Sequence, residues 1–173
     1  MARDILKTLA SEHEEVRTLF EELKKTTDRA EKTRARLLDQ IEATLLPHAK
    51  WEELVFYPAF KERADRDGLQ AHAEAVQEHR AVEHTVLPDL HAAGIDTPQF
   101  AGRAKVFAEF VDHHAREEEK TMFKMARKLF SGDERALLDE QYEAWKKSPA
   151  CESAVAAEKA RAGLKAAARS LRS

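Results

Sequence analysis

Apolar residues along this chain recur at alternating steps of three and four, the spacing that lines one face of an α-helix. The pattern predicts a first helix over roughly residues 3 to 26, with a seam of Leu6, Leu9, His13, Val16, Phe20 and Leu23. A second, roughly 30 to 65, carries Ile41, Leu45, His48, Glu52, Val55 and Ala59. The third, roughly 68 to 92, carries Leu69, His72, Val76, His79, Glu83, Val86 and Leu90. The fourth, roughly 98 to 130, carries Phe107, Val111, His114, Glu118, Met122, Met125 and Leu129, with Thr97 as N-cap and Pro98 in the first helical position. The connections are short, so consecutive helices should be antiparallel neighbours. The expected fold class is all-α: an up-down-up-down antiparallel four-helix bundle over residues 1–130, with additional C-terminal helices in an extension over 131–173. In that extension a helix of about 134 to 147 should pack through Leu137, Leu138, Tyr142 and Trp145. Pro47, Pro58 and Pro88 each remove a backbone donor and predict local bends.

Six seam positions break the apolar rule: His13, His48, Glu52, His79, His114 and Glu118. Burying a neutral polar group without a partner costs roughly 2 to 7 kcal/mol, and a carboxylate more. Bound cations would compensate, because neutral imidazoles and carboxylates are ordinary metal ligands. The residues also fall in a repeat. Glu12-His13 and Glu78-His79 each precede a His-x-x-x-Glu-Glu segment, His48 to Glu53 and His114 to Glu119, by the same 35 residues. In a helix, positions four apart share a face, so each segment aims an imidazole and a carboxylate at one point. Four imidazoles and two carboxylates suit two metals, two histidines each, with the carboxylates bridging. The ligand types fit iron, zinc, copper or nickel.

Composition narrows the remaining classes. In 173 residues there are 29 Lys and Arg against 32 Asp and Glu, a net charge of −3, which advertises neither nucleic acid nor an anionic membrane as partner. No apolar run is long enough to span a bilayer, and a single cysteine, Cys151, matches a reducing compartment; a cytoplasmic location is expected. Beyond Ser148-Pro149 the tail is rich in alanine and locally basic, through Lys159, Arg161, Lys165, Arg169 and Arg172, a surface that could meet a protein partner or lie solvated.

The set His13, His48 with Glu52, His79, and His114 with Glu118 resembles the hemerythrin-like, His-His-Glu cation-binding family over residues 3 to 130, down to the aromatic-proline ending Phe56-Tyr57-Pro58 of the first copy. The resemblance implies a non-haem centre of two iron ions with an oxo or hydroxo bridge, reacting with dioxygen, hydrogen peroxide or nitric oxide, as in oxidative or nitrosative stress handling. Catalase-like or nitric-oxide-related turnover, redox sensing through a partner, and metal storage or a structural divalent site such as zinc all stay open. The chain departs from dioxygen-carrying members at Glu83, four residues after His79, where they have a second histidine. Glu83 is either an additional ligand or a carboxylate that orients an imidazole.

Overall fold

The computed structural model describes residues 3–170, and among them there is no strand. Nine α-helical segments follow one another: α1 (Ile5–Lys24), α2 (Glu31–Trp51), α3 (Tyr57–Arg63), α4 (Arg66–Ala81), α5 (Leu87–His91), α6 (Pro98–Glu117), α7 (Phe123–Leu129), α8 (Gly132–Lys146) and α9 (Pro149–Ser170). Several starts are chemically fixed. Asp4, Asp65 and Thr97 accept hydrogen bonds from the backbone N–H groups of Leu6, Gly68 and Phe100, and Ser131 with Glu134 forms a reciprocal capping box.

Three pairs of segments are joined without a break by single π-helical turns: Glu52–Phe56 between α2 and α3, Val82–Val86 between α4 and α5, and Glu118–Met122 between α6 and α7. The bundle therefore consists of four rods: α1, α2–α3, α4–α5 and α6–α7. At Pro58 and Pro88, where bends were expected, the helix has just widened into a π turn, each proline being the second residue after it. Proline is not the cause, because the third π turn is followed by Phe123-Lys124, and Pro47 lies inside α2. Each wide turn closes from the carbonyl of its first residue to the N–H five residues on, as from Glu52 to Tyr57. At 3.6 residues per turn, Tyr57 in an unbroken α-helix would lie about 140° around from Glu52. The π turn brings it back toward the Glu52 face.

The core is two apolar clusters with a polar layer between them. Ile5, Leu6 and Leu9 of α1 share one cluster with Phe56, Tyr57, Phe60, Met122, Phe123 and Phe130. Val16, Phe20 and Leu23 share the other with Leu37, Ile41, Leu87, Leu90, Phe100, Phe107 and Val111. Along every rod the chain passes from one cluster to the other, and the seam histidines and glutamates sit at the crossing. Helix α1 thus runs Leu9, His13, Val16, and the α6–α7 rod runs Val111, His114, Glu118 and Met122. Two expected seam or packing residues lie outside the core: Leu69 is 42% exposed and Leu137 is 55% exposed. At the start of α4 it is Gly68 that faces inward, where a Cβ would come within 2.8 Å of the Ala64 Cβ.

The C-terminal extension lies against the bundle. Tyr142 of α8 is fully buried, and Ala162 and Ala166 of α9 are buried against it, the small residues permitting close approach. The basic residues of α9 are engaged within the chain. Lys159 reaches Glu42 (3.3 Å), Arg169 reaches Asp89 (3.0 Å), Arg161 reaches Glu158 (3.0 Å), and Lys165 donates to His84 Nδ1 (2.6 Å). Arg172 lies outside the described residues.

One buried charge locks the end of the bundle remote from α8. Arg34 is 2% exposed, and its guanidinium donates to Thr26 Oγ1 (3.0 Å), Asp28 Oδ1 (2.9 Å) and the Ile95 carbonyl (2.7 Å), tying the α1–α2 connection to the α5–α6 connection. Hydrogen bonds from a charged group contribute about 1.5–3 kcal/mol. Arg34→Met should therefore lower the stability measured by urea unfolding by about that amount, with the metal content of the purified protein unaltered; an unchanged midpoint would contradict the lock.

Candidate metal centre

All six residues singled out from the sequence meet in the polar layer. His13, His48, Glu52 and Glu118 form one group in which the ligand atoms lie within 4.8 Å of one another, and Glu52, His79 and His114 form a second; each could hold a metal ion. The imidazoles converge in pairs, with 3.1 Å between the Nε2 atoms of His13 and His48 and 3.0 Å between those of His79 and His114. Glu52 spans the pairs, with Oε1 at 3.1 Å from His48 Nε2 and Oε2 at 3.5 Å from His79 Nε2. Glu118 Oε2 lies 3.4 Å from His13 Nε2 and 3.5 Å from His114 Nε2.

The outer face of every ring is engaged. His48 Nδ1 meets Glu12 (2.9 Å), His79 Nδ1 meets Glu53 (3.0 Å), His114 Nδ1 meets Glu78 (2.7 Å) and His13 Nδ1 meets Glu119 (2.9 Å). A carboxylate only accepts, so each Nδ1 carries the proton, and in the neutral ring Nε2 is left with its lone pair pointing inward. In the neutral form needed to bind a metal, the four Nε2 lone pairs face the Glu52 and Glu118 carboxylates; in the metal-free chain the protonated His48 ring turns its Nε2–H toward Glu52 Oε1 (3.1 Å). The Tyr57 hydroxyl donates to Glu118 Oε1 (2.8 Å) and lies 3.2 Å from His79 Nε2. Among the described residues Glu52, which is wholly buried, and Oε2 of Glu118 face imidazole nitrogens and no Lys, Arg, hydroxyl or backbone donor.

Proton affinities follow from this crowding of acceptors. Burial opposes charge on His48, but the Glu52 charge and the Glu12 hydrogen bond outweigh it and raise its pKa to about 10. His114 moves up too, against burial, through Glu118 and Glu78. Glu118 is pushed well down despite its burial, through His114, His13 and His48. Burial raises the Tyr57 pKa, and the Glu118 and Glu52 charges raise it further, so the phenol stays a donor.

Among the described residues Glu83 is outside both groups that could hold a metal ion. Its carboxylate pairs with Lys50, which also holds Glu53 (2.9 Å), and lies near Arg161 (3.9 Å). His72 is half-buried with its ring edge-on to Tyr57 (5.9 Å). His84 and His113 are exposed, and His91 at the end of α5 meets the buried Glu42 (2.6 Å).

Sequence reading missed the four outer carboxylates and Tyr57. The signal for the first was in plain view: Glu12 and Glu78 are the residues before the two histidines of the repeated Glu-His pair, and Glu53 and Glu119 are the second members of the repeated Glu-Glu pair. For Tyr57 the signal is its counterpart Phe123, which lacks the hydroxyl and stacks flat on His13 at 5.9 Å.

Cavities of different sizes adjoin the site. One, of about 40 Å³, has walls of Leu45, Leu46, Val82, Leu87 and Val111 and reaches all four histidines. Another, of about 30 Å³, lies between α4 and α6 against Glu78, His114 and Glu118. A third, of about 260 Å³, lies between α1 and α6 and reaches His13 past Arg17 and Asp112. A water molecule needs about 10–15 Å³, so the two smaller cavities admit molecules of a few atoms only.

In comparison with known proteins, the hemerythrin HHE cation binding domain matches residues 4–126. A DNA nickase from Nostoc sp. is 28% identical over 132 residues, which are 76% of this chain and 36% of that protein, so the chain spans little more than a third of that relative's length. The crystal structure of a hemerythrin HHE cation binding domain-containing protein from Mycobacterium kansasii, the Rv2633c homologue, superposes with a TM-score of 0.75 at 21% identity, covering 94% of this chain and 96% of that one, a likeness of fold. With its domain match covering most of the bundle, this chain belongs to the hemerythrin HHE cation-binding family.

Proposed function

We propose that this chain is a non-haem di-iron protein whose centre reacts with a small oxidant such as dioxygen, hydrogen peroxide or nitric oxide. The observation that carries the reading is the Glu52 carboxylate, wholly buried and facing imidazole nitrogens of both histidine pairs, with no Lys or Arg on it among the described residues. A buried carboxylate is costly to keep unless a cation compensates it, and the imidazole-rich surroundings supply that either as a proton on a ring or as a bound metal. The donor set, four imidazole nitrogens with two carboxylates and no sulfur, suits iron.

In this reading His13 and His48 hold one ion and His79 and His114 the other. Glu52 offers one oxygen to each side, and Glu118 lies between the two pairs. Bound iron supplies the electrons and the open coordination positions that an oxidant needs. The chain's own residues do the rest. The outer carboxylates fix the tautomer and direction of each imidazole and raise its basicity. Tyr57 steadies Glu118 and keeps a proton beside the His79 pair. Leu45, Leu46, Val82 and Val111 give the cavity that reaches all four histidines apolar walls, and its volume suits molecules of the size of dioxygen or peroxide.

Purified protein from iron-replete cells should contain about two irons per chain and show near-ultraviolet charge-transfer absorption. His114→Ala should hold at most one ion, and its loaded form should melt lower than loaded wild type; stoichiometric zinc with no such absorption after iron reconstitution would overturn the iron assignment. In a peroxide-consumption assay, wild type should exceed an equal amount of free iron and Glu118→Ala should not, whereas no turnover by wild type would remove peroxide from the substrates.

Metal uptake should release protons. In the metal-free protein His48 is raised to about 10, so at pH 7.5 its ring is protonated and a metal must displace that proton. Apparent affinity should rise as pH climbs toward 10 and fall below it. Because the folded value lies above the unfolded one, the same shift stabilises the metal-free fold fully below about pH 6.5 and is lost as pH rises through 10. Titration calorimetry in buffers of different ionisation enthalpy should show at least one proton released per chain, and buffer-independent heats would contradict ligation by His48.

A further inference from the structure

The pseudo-two-fold relation between the halves of the bundle fails at one pair of equivalent carboxylates. Glu78, which holds His114, has as its further ion-pair neighbour among the described residues the exposed His113 ring, at 3.5 Å. Its counterpart Glu12, which holds His48, is clamped from outside the bundle. Glu12 Oε2 accepts from the Tyr142 hydroxyl (2.8 Å) as well as facing His48 Nδ1 (2.9 Å), and Glu12 Oε1 accepts from Lys146 Nζ (2.8 Å). Tyr142 and Lys146 belong to α8, beyond the residues 4–126 that the family domain matches.

The bland account is that Tyr142, fully buried, donates to whichever acceptor is nearest. Two observations favour more. Helix α8 is docked by other means, through Arg135 on Asp4 (3.0 Å), Arg135 on the Phe130 carbonyl (2.6 Å) and Thr8 on Asp139, so the bonds to Glu12 are additional to its anchoring. The Tyr142 ring also stacks on Trp51 (5.4 Å), on the same helix as His48, and the Lys146 ammonium lies 4.4 Å from that tyrosine ring. Phenol, ammonium and carboxylate are therefore held as one unit against the His48 imidazole.

We propose that Tyr142 and Lys146 are positioning residues of the metal centre, fixing through Glu12 the direction and electron donation of the His48 imidazole. This rests on the metal-centre reading above. The extension is then a working part of the site, and it stiffens the His13/His48 side while the His79/His114 side keeps the simpler outer contact at Glu78. Losing a partner that orients a metal-bound histidine typically costs 10–100-fold in metal affinity.

The test uses the full-length protein loaded with two equivalents of Co2+, whose visible d–d bands report ligand geometry. In Tyr142→Phe/Lys146→Met, one of the two ions should pass to a chelator at least about tenfold faster than in wild type, with shifted bands for that ion. Lys146→Arg should retain the wild-type rate and spectrum. If the double variant does not fold, Tyr142→Phe alone, which keeps the ring on Trp51, gives the same readout. Wild-type release rates and bands in these variants overturn the proposal. So does equal acceleration in Arg135→Met, which loosens α8 without touching Glu12. Wild-type protein that takes up no Co2+ overturns the metal-centre reading itself, an outcome distinct from either.

Discussion

A closed ring of four hydrogen bonds around the bundle fixes everything at its centre. Glu12 of the first rod holds His48 of the second, Glu53 of the second holds His79 of the third, Glu78 of the third holds His114 of the fourth, and Glu119 of the fourth holds His13 of the first. Each rod gives a carboxylate to the next and an imidazole to the one before. The ring sets tautomers as well as directions, since a proton placed on Nδ1 by a carboxylate leaves Nε2 bare. Inward-facing lone pairs are thus a consequence of contacts made on the outside.

Such a layer is stable only because of where it sits. Apolar clusters close it above and below, so the chain gains hydrophobic burial on both sides of a region that gains none. The same clusters exclude water from Glu52, which makes its missing donors expensive and a cation at that point favourable. The π turns serve this arrangement. Two of them begin at the innermost carboxylates, Glu52 and Glu118, and each returns an aromatic residue, Tyr57 or Phe123, to the region of the site.

The rods and their buried faces were legible in the sequence because helical periodicity is local, and the six inner residues were legible because they break it. The outer carboxylates were not, because each stands one residue off the seam in a chain where acidic residues are common and exposed ones unremarked. The π turns have no single local marker: Pro58 follows one, and Lys124 stands at the same place after another. The basic tail read as a free surface because alanine gives a weak apolar stripe, yet Ala162 and Ala166 are what let α9 lie close enough for its cations to meet Glu42 and Asp89. Glu83 lay on the expected face, but Lys50, two residues after His48 on a neighbouring rod, pairs with its carboxylate.

The charges are compensated from the outside inward, and that ordering separates a binding site from a merely acidic core. Lys146 stands on Glu12, Lys50 on Glu53 and Arg17 on Glu119, each within ion-pair distance. No Lys or Arg pairs with Glu52 or Glu118 among the described residues; their ion-pair partners are the imidazoles. If these two carboxylates served only stability, replacing them with apolar residues of similar volume would be the simpler solution, because buried ionised groups rarely repay their desolvation. Side chains able to neutralise the outer carboxylates were available to the fold, and they stop one layer short of the centre. The charge left for the imidazoles to balance lies between two pairs of their nitrogens, where a cation meets nitrogen and oxygen together.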